Sequence, residues 1–139
     1  MTEPQKPQES QQPLAERFSA PGGSGLITAT TVEDFRRNLA AVRARLTAAA
    51  ARAGRDASEI RLLPVSKTVP EERLRSAHAA GITRMGENKV QEARRKAAAL
   101  ADLDIRWAVI GHLQTNKAKD VVAFADEFQA LDSLRLAGA

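Results

Sequence analysis

The chain has no cysteine and no tyrosine, and only 4% of its 139 residues are aromatic. The absence of cysteine excludes disulfides, thiolate metal sites and cysteine nucleophiles. With only two histidines, His78 and His112, the composition also argues against a multi-histidine zinc site. So few aromatic rings leave little surface for stacking on bases, and we therefore expect no metal centre and no nucleic-acid partner.

Long hydrophobic runs are also missing, so the sequence predicts neither a membrane span nor the hydrophobic core of a signal peptide. The expected location is the cytoplasm, without membrane contact. Lysine and arginine exceed aspartate and glutamate by 21 to 17, which gives a net charge of +4. This mild excess favours anionic ligands such as phosphates.

The N-terminal residues 1–29 are rich in Gln, Pro, Glu, Ser and Gly and are expected to form a disordered tail. A domain is predicted over 30–139, beginning with a long helix over 31–53. Thr30 with Glu33 matches a capping box at its start, and Gly54 follows its end.

After this helix, short apolar runs alternate with helical patterns. The predicted strands cover 61–66, 82–85, 105–110 and 127–131, and the predicted helices between them cover 70–80, 88–101 and 116–125. Such alternation is typical of βα units around a parallel sheet, so the fold class is α/β. Asp132 and Ser133 predict the start of one more helix shortly before the last residue of the chain.

Four βα units make up half of a (β/α)₈ barrel, whose usual size is about 250 residues. We therefore expect the N-terminal half of such a barrel, truncated at its C-terminus. Pro64 fits an edge strand, because proline has no N–H to donate within a sheet.

Lys67 ends the first predicted strand. If it were buried at the carboxyl end of a βα strand, desolvation would favour the neutral amine, which attacks carbonyl groups. The alternative is a lysine that simply reaches solvent from a strand end.

Two further predicted strands also end in polar segments. Residues 86–93 read GENKVQEA, and residues 110–119 read IGHLQTNKAK. Because the carboxyl ends of parallel strands meet at one rim, we expect both segments to lie beside Lys67. Gly86 and Gly111 would permit sharp turns or close approach of the backbone there.

Together with VSKT at 65–68 and LDSLRLA at 131–137, these segments resemble the pyridoxal phosphate homeostasis protein family, whose fold is similar to the N-terminal barrel of alanine racemase. The resemblance implies pyridoxal 5′-phosphate (PLP) held as a Schiff base on Lys67, with Asn88 near the ring. It also implies Gly111 and His112 at the pocket rim, and phosphate-binding loops on later strands. The family usually has a histidine where this chain has Ala108, so a contact made by that histidine is not expected.

The resemblance implies a carrier or regulator of PLP without an established turnover reaction, with PLP-dependent apo-enzymes as possible recipients. A PLP-dependent racemase or decarboxylase of the same barrel class is the enzymatic alternative. A racemase would need a second acid or base on the opposite face of the ring, commonly Tyr or Cys, and this chain has neither. The remaining alternative is a basic interaction module without a cofactor.

Several polar residues near these segments also have purely structural interpretations. Asn88 could cap the helix that follows it, and Glu87 could pair with Lys89 or Arg84 at the surface. The run of basic residues at 94–96 is expected on the solvated side of its helix. Trp107 is expected in the core or against the sheet.

Overall fold

The computed structural model describes residues 26–139, and the prediction for residues 1–25 lies outside that range. Five α-helices are present in this part of the chain: α1 (Val32–Arg52), α2 (Glu71–Ala79), α3 (Val90–Ala99), α4 (Ala118–Phe124) and α5 (Leu134–Ala137). The strands are β1 (Arg84–Glu87), β2 (Arg106–Val109) and β3 (Glu127–Phe128). Short 3₁₀ turns occupy Ala57–Glu59 and Thr115–Lys117.

The three strands form one parallel sheet in the order β1-β2-β3. Gly86 pairs with Ala108, which in turn pairs with Glu127. A helix separates each strand from the next, so the predicted α/β class with a parallel sheet is confirmed.

The prediction of a full strand over 61–66 is wrong. The segment makes a single parallel bridge, between Val65 and Gly86, in which Gly86 N–H donates to the Pro64 carbonyl and Ser66 N–H donates to the Gly86 carbonyl. The next bond of a parallel ladder would need an N–H on residue 64, and proline has none. The segment therefore lies beside β1 without extending the ladder.

The long first helix begins one residue later than predicted. Thr31 is its N-cap, and its hydroxyl accepts from the Asp34 N–H while the Asp34 carboxylate accepts from the Thr31 N–H, which completes the capping box. Gly54 follows the helix with a φ of 65°, a conformation that glycine adopts without steric cost.

Residues 26–29, the last part of the predicted tail, make contacts with the domain. The Asn38 side chain exchanges two hydrogen bonds with the backbone of Ile27, at 3.1 and 2.7 Å. Ala29 is buried, and its carbonyl accepts from the Arg73 guanidinium at 2.9 Å.

Helices cover one side of the sheet. The core there consists of two clusters, one around Met85 and Trp107 and one around Val109. Trp107 is buried, which confirms its interpretation as a core residue. Gly86 and Ala108 alternate with these residues along the strands, so they face the opposite side of the sheet, and neither cluster includes them. None of the helices within 26–139 is long and apolar enough to cross a membrane.

Candidate functional site

The carboxyl ends of β1 and β2 bring two of the predicted site residues together. The Ile110 N–H donates to the Glu87 carbonyl at 2.8 Å, so the residues that follow each strand leave the sheet side by side. A Cβ on Gly111 would overlap the backbone of Asn88, lying 2.9 Å from its Cα. Position 111 therefore requires glycine because the two loops touch through their backbones.

The side chain of Asn88 does not cap helix α3. The N-cap of that helix is Lys89, which makes no capping hydrogen bond through its side chain. Within residues 26–139 the Asn88 amide has no hydrogen-bond partner, and it lines a cavity of 460 Å³ together with Glu92, His112 and Lys117. A partly buried amide beside an open cavity is available to a ligand.

His112 also lines this cavity, but its side chain is 74% exposed. Its Nδ1 lies 3.4 Å from the Asp132 carboxylate, a contact that becomes an ion pair only when the imidazole is protonated. The structure therefore places His112 at the outer margin of the rim.

Lys67 is exposed, so its side chain is not buried at the end of the segment but reaches solvent, the alternative left open by the sequence. It lies in a turn directly after the single bridge of the 61–66 segment, and its amine has no partner among the described residues. Val65, two residues before Lys67, is 48% exposed. It lies on the side of the sheet that neither core cluster covers. The amine is therefore in contact with solvent and is not desolvated.

A different lysine is buried directly beneath that turn. Lys96 of α3 is 0% exposed, and its Nζ donates to the Glu87 carboxylate at 2.6 Å and to the Ser66 carbonyl at 2.6 Å. It also pairs with the Glu92 carboxylate at 2.9 Å. The prediction that residue 96 belongs to a solvated helix face is wrong, although Arg94 and Arg95 are exposed as expected.

Glu87 is the second charged residue of this buried network, and the prediction that it pairs at the surface is also wrong. It is 0% exposed, and its Oε1 accepts from both Lys96 and the Ser66 hydroxyl, each at 2.6 Å. Its Oε2 has no hydrogen-bond partner within the described range. A buried carboxylate with one unpaired oxygen depends strongly on its single cationic partner.

A sequence signal for Lys96 does exist. The residue lies three positions after Ala93 and four before Leu100, both of which are buried, so it occupies the apolar side of α3. Glu92 stands four residues before it, at the spacing at which helical side chains pair. A lysine on an apolar face with such a partner indicates a buried ion pair.

The chain is similar in sequence and in structure to known proteins. No family model matches the chain. A protein of Pseudomonas aeruginosa named pyridoxal phosphate homeostasis protein is 45% identical over 100 residues, which cover 72% of this chain and 44% of the relative. A relative of the same name from Aquifex aeolicus is 43% identical over 99 residues, or 71% of this chain and 43% of its own length. The chain is a homologue of proteins with this name.

The resemblance seen in the sequence motifs is therefore confirmed, and the chain spans less than half the length of the curated relatives it matches. A solved structure of PipY from Synechococcus elongatus with PLP bound is 40% identical, with a TM-score of 0.57, and the match covers 69% of this chain and 45% of PipY. The structure of PipY without PLP gives a TM-score of 0.64 at 38% identity, over 74% of this chain and 44% of PipY.

Proposed function

We propose that this chain binds PLP and takes part in intracellular PLP homeostasis, with Lys67 as the residue that holds the cofactor covalently. The observation that carries the proposal is the PLP-bound structure of PipY, which matches 69% of this chain at 40% identity. The names of the homologues, pyridoxal phosphate homeostasis protein at 37–45% identity, supply the physiological role.

The residues at the rim fit the chemistry of this group. PLP supplies an aldehyde that a primary amine captures and a ring that can act as an electron sink. The neutral amine of Lys67 would add to the aldehyde carbon, and one water would leave as the carbon–nitrogen double bond forms. The unpaired Asn88 amide would contact the ring, and the glycine at position 111 would let the backbone come close.

We further propose that the parallel sheet is half of a (β/α)₈ barrel, as in the N-terminal barrel of alanine racemase. The ion pairs at the amino ends of the strands support this geometry. Glu127 of β3 accepts from Arg61 at 2.7 Å and from Arg84 of β1 at 3.2 Å. In a flat sheet the 61–66 segment and β3 would be three strand spacings apart, roughly 14 Å, which arginine and glutamate side chains span only when both are fully extended towards each other, so the contact fits a concave sheet.

Two parts of the role remain predictions. The recipients of the cofactor are expected to be PLP-dependent apo-enzymes, and the expected location is the cytoplasm. Neither follows from the rim itself.

The proposal is tested by adding PLP to the protein, reducing with borohydride and mapping the modified residue by mass spectrometry. Wild-type protein is expected to acquire one phosphopyridoxyl group on Lys67, because reduction converts the carbon–nitrogen double bond into a stable secondary amine. The Lys67→Arg variant keeps the positive charge and loses the nucleophile, so it should acquire none at this position.

Lys119 is exposed and lies outside both the buried network and the cavity beside Asn88, so it serves as the internal control for unspecific labelling. Equal modification of Lys119 and Lys67 would refute the assignment of Lys67. A folded protein that acquires no label at any lysine would refute PLP binding as a covalent adduct.

A further inference from the structure

The turn that carries Lys67 is held on both sides by the buried network. Before Lys67, the Ser66 carbonyl accepts from Lys96 Nζ at 2.6 Å, and the Ser66 hydroxyl donates to Glu87 Oε1 at 2.6 Å. After Lys67, the Thr68 N–H donates to Glu92 Oε1 at 2.9 Å. The backbone of Lys67 therefore lies between two fixed residues while its own side chain is unattached.

The turn adopts a conformation that needs such support. Thr68 has a φ of 63°, the one positive φ of a non-glycine residue within 26–139. For a β-branched residue this left-handed conformation is strained and persists only when its surroundings impose it. The hydrogen bond from Thr68 N–H to Glu92, together with the 3.1 Å bond from Val69 N–H to the Ser66 carbonyl, provides that restraint.

Glu87, Glu92 and Lys96 form one hydrogen-bonded network with the turn. Glu92 touches both Lys96 and Thr68 N–H, and these two hydrogen bonds lower the pKa of its carboxyl group, the one from Lys96 most strongly. Lys96 in turn reaches Glu87 and Ser66. Any change at one carboxylate is thus transmitted to the turn through the same ammonium group.

We propose that Glu92, Lys96 and Glu87 are positioning residues for Lys67, which fix its backbone so that its amine is presented at the rim beside Asn88. This inference rests on the proposed function, because it assumes that Lys67 is the residue that receives PLP. They act through the backbone on either side of Lys67, and Glu92 also lines the cavity beside Asn88.

The test uses Glu92, because its side chain is 23% exposed. Its removal leaves Glu87 with both of its buried partners, Lys96 and Ser66. Glu92→Ala removes the acceptor for Thr68 N–H and one partner of Lys96. Glu92→Gln keeps a carbonyl oxygen that can accept from both. At a fixed PLP concentration and a temperature at which both variants are folded, borohydride-trapped label on Lys67 is measured per folded molecule.

Glu92→Ala is expected to lower the label on Lys67 by about tenfold, as for the loss of one hydrogen bond to a charged group, whereas Glu92→Gln recovers most of it. Asp120→Ala is the matched control, because Asp120 is a comparably exposed carboxylate paired with Arg94 of the same helix and lies outside the network. It should leave the label on Lys67 unchanged. Label on Lys119, which is exposed and outside the cavity, should be the same in all variants.

Equal labelling of Lys67 in Glu92→Ala and wild type would overturn the positioning role while leaving the proposed function intact. The same would follow if Asp120→Ala reduced the label as strongly, or if Glu92→Gln recovered nothing. Failure of the wild type itself to acquire label on Lys67 would instead refute the proposed function, and the positioning role with it.

Discussion

Replacing Lys96 with Met should destabilise the protein more than the loss of any exposed ion pair. Methionine retains most of the volume, so the main effect is the removal of a charge that is 0% exposed and contacts Glu87, Glu92 and the Ser66 carbonyl. Glu87 would then be a buried carboxylate without a cation. Removing one partner of a buried ion pair in this way costs about 3–5 kcal/mol.

Such a loss is a large part of the total, since small domains unfold with about 5–15 kcal/mol. Urea unfolding measures it directly, because Trp107 is the only tryptophan and is buried within the first core cluster, so its fluorescence reports the loss of that core. The matched control is Arg94→Met, which removes an exposed pair on the same helix. That variant should cost about 0–1 kcal/mol.

A second variant separates the charge effect from the loss of packing. Adding Glu87→Gln to Lys96→Met makes the uncompensated group neutral, so the double variant should be more stable than Lys96→Met alone. If Lys96→Met cost less than about 1 kcal/mol, the description of this pair as buried and interdependent would be refuted. The same conclusion would follow if the double variant were less stable than the single one.

Two further predictions concern the rim and the start of α1. Gly111→Ala should lower the free energy of unfolding in urea by about 1–3 kcal/mol, because the new Cβ overlaps the backbone of Asn88. Gly138→Ala is the control and should cost less, because a Cβ there makes only ordinary contacts. Equal effects of the two substitutions would contradict the overlap. The backbone N–H groups of the cap lower the pKa of Asp34 from 3.8 to about 2, so its contribution to stability is present above pH 4 and lost as the pH falls towards 2. Thermal midpoints between pH 2 and 5 should therefore fall more steeply for wild type than for Asp34→Asn, and parallel profiles would refute this linkage.

The order of helices and strands could be read from the sequence because its signals are local. Gly54 and Gly81 both follow helices and both adopt positive φ, as helix stops commonly do. The prediction failed at 61–66, where the apolar pattern is typical of a strand but Pro64 cannot donate to the ladder. The missing N–H of Pro64 was visible in the sequence. Whether it shortens the ladder depends on which strand lies beside the segment, and here that strand is β1.

The site was predictable only in part, for a related reason. Parallel strand ends converge by topology, so the meeting of Asn88 and Gly111 follows from the βα pattern alone. The burial of Glu87 and Lys96 does not follow from the βα pattern, because charged residues are rarely buried unless they are paired. On the neighbouring segment Glu87 bonds to the Ser66 hydroxyl and Lys96 to the Ser66 carbonyl, and a backbone carbonyl leaves no mark in a sequence.

Two lysines of this region differ sharply in burial and bonding. Lys96 is buried and bonded to two carboxylates, so it is a rigid charged support, whereas Lys67 is exposed and unpaired among the described residues, so its amine can reach a ligand. The difference in burial predicts that replacement by methionine affects mainly stability at position 96 and mainly PLP labelling at position 67. Lys67→Met should change the free energy of unfolding by less than about 0.5 kcal/mol while abolishing PLP labelling, because an exposed side chain with no partner contributes little to stability. A large loss of stability in Lys67→Met, measured in the same urea experiment as Lys96→Met, would mean that Lys67 is itself structural and that its proposed freedom to react is wrong.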